Sequence, residues 1–166
     1  MNPLPLFLII VTLPLLLGGC GEKIVTVEEL EVREGIYYLR GSNIPFTDTY
    51  MTFHENGNKK KKIRFKDGKP NGIAITWNEN GQKLRETNFK DGKDDGIVVQ
   101  WHDNGQKKDE GNYKDGVMDG LWVWWHENGQ KKAEGKFKKG RVIEGTQNYW
   151  DIKGEEVDSL EEAEAE

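Results

Sequence analysis

Gly72-Ile73-Ala74-Ile75-Thr76-Trp77-Asn78-Glu79-Asn80-Gly81-Gln82-Lys83 is the stretch on which the reading turns. Ile73, Ile75 and Trp77 alternate with smaller or polar neighbours, a period of two that belongs to a β-strand. Asn80-Gly81 offers two residues that tolerate positive φ, the requirement of a type I′ turn, so the chain is expected to reverse there into a second strand. That strand runs to Phe89, and Lys90-Asp91-Gly92 turns the chain once more. The segment reads as a β-hairpin with a turn on either side.

The hairpin repeats along the chain. Asn-Gly recurs at Asn56-Gly57, Asn80-Gly81, Asn104-Gly105 and Asn128-Gly129, every step 24 residues. A second glycine recurs at Gly68, Gly92, Gly116 and Gly140, and a third at Gly72, Gly96 and Gly120. Aromatic residues keep the same step, as Phe53, Trp77, Trp101 and Trp125, and again as Phe65, Phe89, Tyr113 and Phe137. Two residues before the later aromatics stand Thr87, Gly111 and Gly135, small enough for a neighbouring ring to lie close over the backbone. The expected fold is all-β: an elongated, twisted antiparallel meander of 24-residue hairpins, each contacting only its neighbours.

The array is expected to span residues 46–154. At its front Asp48 takes the slot of Gly72, while Thr49, Met51 and Phe53 keep the strand positions. At its back the spacing slips by one, and Trp150-Asp151-Ile152-Lys153-Gly154 replaces Asn-Gly, a degenerate unit of the kind that caps repeat arrays. The order glycine, strand, aromatic, Asn-Gly-Gln-Lys, strand, aromatic, Asp-Gly-Lys resembles the MORN-type repeats, in the bacterial variant labelled antitoxin-like. Glu29-Leu30, Tyr37-Tyr38 and Pro45-Phe46-Thr47 look like the short lead-in of such arrays. The resemblance implies a repeat scaffold for membrane-proximal or protein-protein contacts. Its antitoxin label implies a toxin as partner, and it brings no catalytic residue.

The rest of the 166-residue chain divides around this array. Residues 1–19 carry no charge, so all 24 basic and 29 acidic side chains lie beyond them. The apolar run over residues 4–17 is shorter than the roughly 20 residues of a spanning helix, and Pro5 and Pro14 disfavour an unbroken one. It reads as an export signal, though no Lys or Arg stands near Met1. Leu17-Gly18-Gly19-Cys20 resembles the bacterial lipoprotein signal. That resemblance implies cleavage between Gly19 and Cys20, palmitate and further acyl chains on Cys20, and residence in the cell envelope. Gly21, where an inner-membrane retention signal has Asp, points to the outer membrane of a two-membrane bacterium. Residues 20–45 are a linker and lead-in. Cys20 is the only cysteine, which excludes an internal disulfide framework and a cysteine-based zinc cluster. With 35% hydrophobic residues, a thick core enclosing a catalytic cleft is not expected.

Four features invite a site. His54, His102 and His126 occupy equivalent slots, but each repeat advances about 10 Å, too far for shared zinc ligation at about 2 Å, so no metal and a solvated, turn-flanking role are expected. Lys59-Lys60-Lys61-Lys62 suits anionic lipid, although Lys83, Lys107 and Lys108 show that lysine after Asn-Gly belongs to the repeat, where it guards a strand edge. Trp122 and Trp124 lie on the face opposite Leu121, Val123 and Trp125, and Tyr149 matches Trp124 in the last unit. These three are the candidate patch for a glycan or a protein, with a sealing layer as the competing reading. Residues 155–166 hold seven acids and no base, and 22 acids stand against 24 bases in the remainder. An acidic tail, disordered or a fraying helix, is expected there.

The function expected is that of a membrane-anchored envelope lipoprotein, a protein- or ligand-binding scaffold without cofactor and not an enzyme. Its partners are the membrane, through lipid, and an envelope protein or glycan. Export and a formal charge of -5 exclude nucleic acid. An antitoxin that neutralises a toxin by binding stays open, against the leader. So does a cell-wall-active enzyme, which would need acid and base groups clustered in a cleft, whereas Glu79, Asp103 and Glu127 belong to turns.

Overall fold

The structure, a computed structural model, describes residues 24–25 and 29–165; Gly19, Cys20 and the rest of the leader lie outside the described residues. The chain opens with β1 (Ile24–Val25) and a hairpin of β2 (Leu30–Arg33) and β3 (Ile36–Leu39). The array follows as β4 (Asp48–Phe53), β5 (Lys59–Lys66), β6 (Lys69–Trp77), β7 (Lys83–Lys90), β8 (Lys93–Trp101) and β9 (Lys107–Lys114). It continues through β10 (Val117–Met118), β11 (Gly120–Trp125), β12 (Lys131–Lys138), β13 (Arg141–Val142) and β14 (Asn148–Trp150). β15 (Glu156–Val157) and a short helix, α1 (Leu160–Glu164), end it. One sheet runs β1-β4-β5-β6-β7-β8-β9-β11-β12-β14-β15, with β10 beside β9 and β13 beside β12. This is the elongated antiparallel meander expected from the period, with one departure, since β1 joins β4 in parallel.

The type I′ geometry expected at Asn-Gly is found instead at the other set of turns. At Asp67-Gly68, Asp91-Gly92, Asp115-Gly116 and Lys139-Gly140 both residues have positive φ, the signature of two-residue type I′ turns. At Asn56-Gly57 and its equivalents only the glycine does. There Gly57 N–H donates to the His54 carbonyl (2.9 Å) and His54 N–H to the Asn58 carbonyl (2.8 Å), a longer loop ending in a left-handed glycine. The register slips beside each such loop, between Thr52 and Phe53 in the first hairpin and between Trp124 and Trp125 in the fourth. A bulged strand with a spare residue no longer needs the primed turn.

The two faces of the sheet differ. On one, the positions Ala74, Thr87, Val98, Trp122 and Ala133 are buried. On the other, Ile73, Ile97 and Leu121 remain about half exposed, at 54%, 63% and 50%. The buried face is covered at its amino-terminal end by the β2–β3 hairpin, where Tyr37 and Phe46 pack on Phe65 at 4.8 and 5.5 Å and Val25 completes the cluster. The lead-in is thus a folded cap. β5 lies inside the main sheet, paired with β4 and β6, so Lys59-Lys60-Lys61-Lys62 guards no edge, a correction to the edge reading.

Both margins of the sheet carry ties between repeats beyond the strand ladder. At the Asp-Gly margin, the N–H of Gly68, Gly92, Gly116 and Gly140 donates to the carbonyls of Phe46, Pro70, Asp94 and Met118. At the other margin, Nε2 of His54, His102 and His126 donates to the carbonyls of Trp77, Trp125 and Trp150 at 2.9 to 3.0 Å. A carbonyl only accepts, so Nε2 carries the proton. Asn56, Asn104 and Asn128 add side-chain bonds to the carbonyls of Glu79, Glu127 and Ile152. The histidines are therefore half-buried fasteners, not solvated side chains. Replacing His54 by alanine should cost about 1 kcal/mol, the net worth of one such bond, and lower the melting temperature by about 2–4 °C. A thermal melt followed by circular dichroism reads this; an unchanged melt would remove the fastening role.

Candidate functional site

The tryptophans of β11 are positioned by glycine and by register. Trp122 pairs with Gly135 on one side, and its indole lies over Gly111 on the other, where a Cβ would overlap the ring. Its Nε1–H donates to the Asn112 carbonyl at 3.2 Å, and Tyr113 meets it edge-on at 5.2 Å. At 4% exposure Trp122 is a floor and offers no contact surface. Trp124 stacks on it with centroids 5.9 Å apart and planes at 27°, and Phe137 stands 6.0 Å from Trp124.

Trp124 and Tyr149 do come together. Each pairs with Ala133, so they occupy one row across β11, β12 and β14 with a single methyl between them. Both are half-buried, and with Phe137, Val142 and Leu160 they line a cleft of about 520 Å³. Lys108, Lys132, Glu134 and Glu164 supply its polar lining. The Lys131 ammonium, and then the Asn148 amide, hold the Glu134 carboxyl below the usual carboxylate range. Lys131 also stands 4.8 Å over the Trp150 ring, as Lys83 and Lys107 stand over Trp101 and Trp125, so these lysines are part of the repeat. Among the described residues no group of three or more His, Cys, Asp or Glu is placed to hold a metal ion.

Of the two expectations for the carboxyl-terminal segment, disorder or a fraying helix, the structure has a short helix, and it is capped and docked to form one wall of the cleft. Tyr149 pairs with Val157, which adds β15 to the sheet edge. Ser159 caps α1 by accepting from Glu162 N–H at 3.2 Å, and Glu161 and Glu162 sit in the first turn, where the helix dipole favours acids. Ala163 is 1% exposed, and Glu164 Oε1 meets Lys132 Nζ at 2.7 Å. That hydrogen bond holds the Glu164 carboxyl below its ordinary range. Self-repulsion among the acids is thus relieved by a lysine 32 residues earlier. The sequence reading missed Phe137, Val142, Lys132 and Leu160 as site residues. Ser159 three residues before Glu162 is the capping signal that could have decided for the helix over disorder.

Each Asn-Gly hairpin of the sheet coincides with one matched unit of a known family. The pattern of the MORN repeat variant matches residues 49–67, 70–91, 94–115 and 118–139, just over half of the chain. No curated protein matches it. The matched units correspond to β4–β5, β6–β7, β8–β9 and β10–β12, while the hairpin of β14 and β15 extends the sheet beyond them. By its sequence period and by the hairpin that each period builds, the chain belongs to the MORN repeat variant family.

Proposed function

We propose that this repeat scaffold is an envelope lipoprotein held to a membrane by acyl chains on Cys20, and that it binds a partner protein through the cleft at its far end without catalysing a reaction. The observation that carries the reading is the cleft: Trp124, Phe137 and Tyr149 are gathered half-exposed at one end of a sheet whose other end is capped. Large aromatic side chains that are rigidly supported and left accessible are what protein contacts use. Trp122 supports them from beneath, and the repeat ties hold the surface in one shape. The resemblance of Leu17-Gly18-Gly19-Cys20 to a lipoprotein signal supports the anchor, which would raise the local concentration of the module for other envelope proteins.

The test is capture in intact cells with a photoreactive aromatic residue in place of Tyr149. The native background should yield one dominant crosslinked partner. Adding Trp124→Ala should reduce it about tenfold, the scale of one contact residue worth 1–2 kcal/mol; the variant melts earlier because Trp124 also packs on Trp122 and Phe137, so circular dichroism of the purified protein must show it folded at the capture temperature. Equal capture with and without Trp124 would remove the cleft from the function.

A further inference from the structure

The cleft is already partly occupied by the chain itself, and the manner of occupation describes what it accepts. Leu160 enters the aromatic lining, and one helical turn later Glu164 binds Lys132. The fit is incomplete. Leu160 stays 45% exposed, α1 is five residues long, and about 520 Å³ remains open with the helix in place. Lys108 also lines the cleft, exposed and with no ion pair among the described residues. It occupies the same place in its hairpin as Lys132, two strands away, or about 10 Å. A helix rises about 1.5 Å per residue, so carboxylates seven residues apart on one helical face span that distance.

Resting on the binding role assigned to the cleft, we infer that its partner is an acidic amphipathic helix, longer than α1, that sets an apolar side chain against Trp124 and Tyr149 and carboxylates seven residues apart on Lys132 and Lys108. In this arrangement α1 is a built-in stand-in that a better-fitting acidic helix displaces. The tail fills part of the cleft in the free protein and takes Lys132, so the apparent affinity for a partner is scaled down to the fraction of molecules whose tail is released. Lys132 is common to both states, and Lys108 distinguishes the partner from the tail.

The experiment titrates the purified full chain in detergent with a fluorescein-labelled peptide of residues 155–166, and with the same peptide carrying Gln at all seven acids, and reads anisotropy. The wild type should bind the acidic peptide weakly. The Leu160→Ser, Glu164→Ser double variant, whose sheet is untouched, should bind it about tenfold tighter, as expected if the tail occupies the cleft nine-tenths of the time. The Gln peptide should bind neither, and Lys132→Glu in the double variant should abolish binding, with circular dichroism melts confirming that each variant is folded. No gain in the double variant overturns the inference, as does equal binding of the Gln peptide. Quenching of tryptophan fluorescence by an N-acetylglucosamine oligomer, without peptide binding, overturns it in favour of a glycan. A wild-type dimer joined through exchanged tails overturns it in favour of a second copy. If peptide binding fails while capture in cells still depends on Trp124, the acidic helix falls and the binding surface stands.

Discussion

Gly111→Ala should destabilise the array by about 3 kcal/mol, the upper end of what overpacking costs in a core position. The reason is the ring above it. The alanine Cβ would lie inside the van der Waals envelope of the Trp122 indole. That indole is held by Tyr113 on one side, Trp124 and Phe137 on the other, and by its bond to the Asn112 carbonyl. If the ring is expelled, the burial of a large side chain is lost, about 1.5–3 kcal/mol, and the floor beneath Trp124 goes with it. Gly111 lies outside the positive-φ region, so backbone strain adds nothing and the effect is steric. Gly135 is the internal control: it too lacks positive φ, and a Cβ there would meet the Gln147 side chain at an ordinary 3.4 Å. Gly135→Ala should therefore be close to neutral. Denaturant melts followed by tryptophan fluorescence compare the two, and Gly111→Ala should also red-shift the folded-state emission. If both variants melt alike, the ring does not depend on that glycine.

Cys20→Ala is the second large effect, and it is all or none. On the proposed anchoring, the wild type incorporates labelled palmitate and begins at Cys20. Attachment through more than one acyl chain is stable where a single chain is marginal. The alanine variant has no thiol to acylate, so the label should vanish. It should also run larger on a gel by the mass of the 19 uncleaved residues that precede Cys20. Palmitate retained by the variant, or equal mobility of the two proteins, would exclude Cys20 as the anchor.

The architecture was legible because it is written in a repeat. Glycines and aromatics at a fixed step of 24 define the hairpins, and local signals suffice when each unit contacts only its neighbours. The turn types were not legible, because Asn and Asp both tolerate positive φ. What separates them is the length of the connection, two residues at Asp67-Gly68 against a bulged loop at Asn56-Gly57. The candidate patch was half legible. Alternation placed Trp122 and Trp124 on one face, yet their depth depends on Gly111, eleven residues before Trp122 and on the next strand. Composition exposed the acids of the tail but not Lys132, which answers them from a distant strand. The histidines were misjudged for the same reason, since each bonds a carbonyl 23 or 24 residues away.

The fastened margins give the sheet a mechanical consequence. From β4 to β14 there are eight inter-strand steps, which at about 4.8 Å each amount to roughly 38 Å. On the proposed anchoring, with a lipid at one extremity and the cleft at the other, the strip would be a spacer of set length. It can lift the cleft several Debye lengths, about 8 Å each in physiological salt, clear of a charged bilayer. An acidic helix approaching Lys108 and Lys132 would then meet little repulsion from anionic headgroups. Removing one hairpin would shorten that standoff by about 10 Å and leave both extremities chemically unchanged.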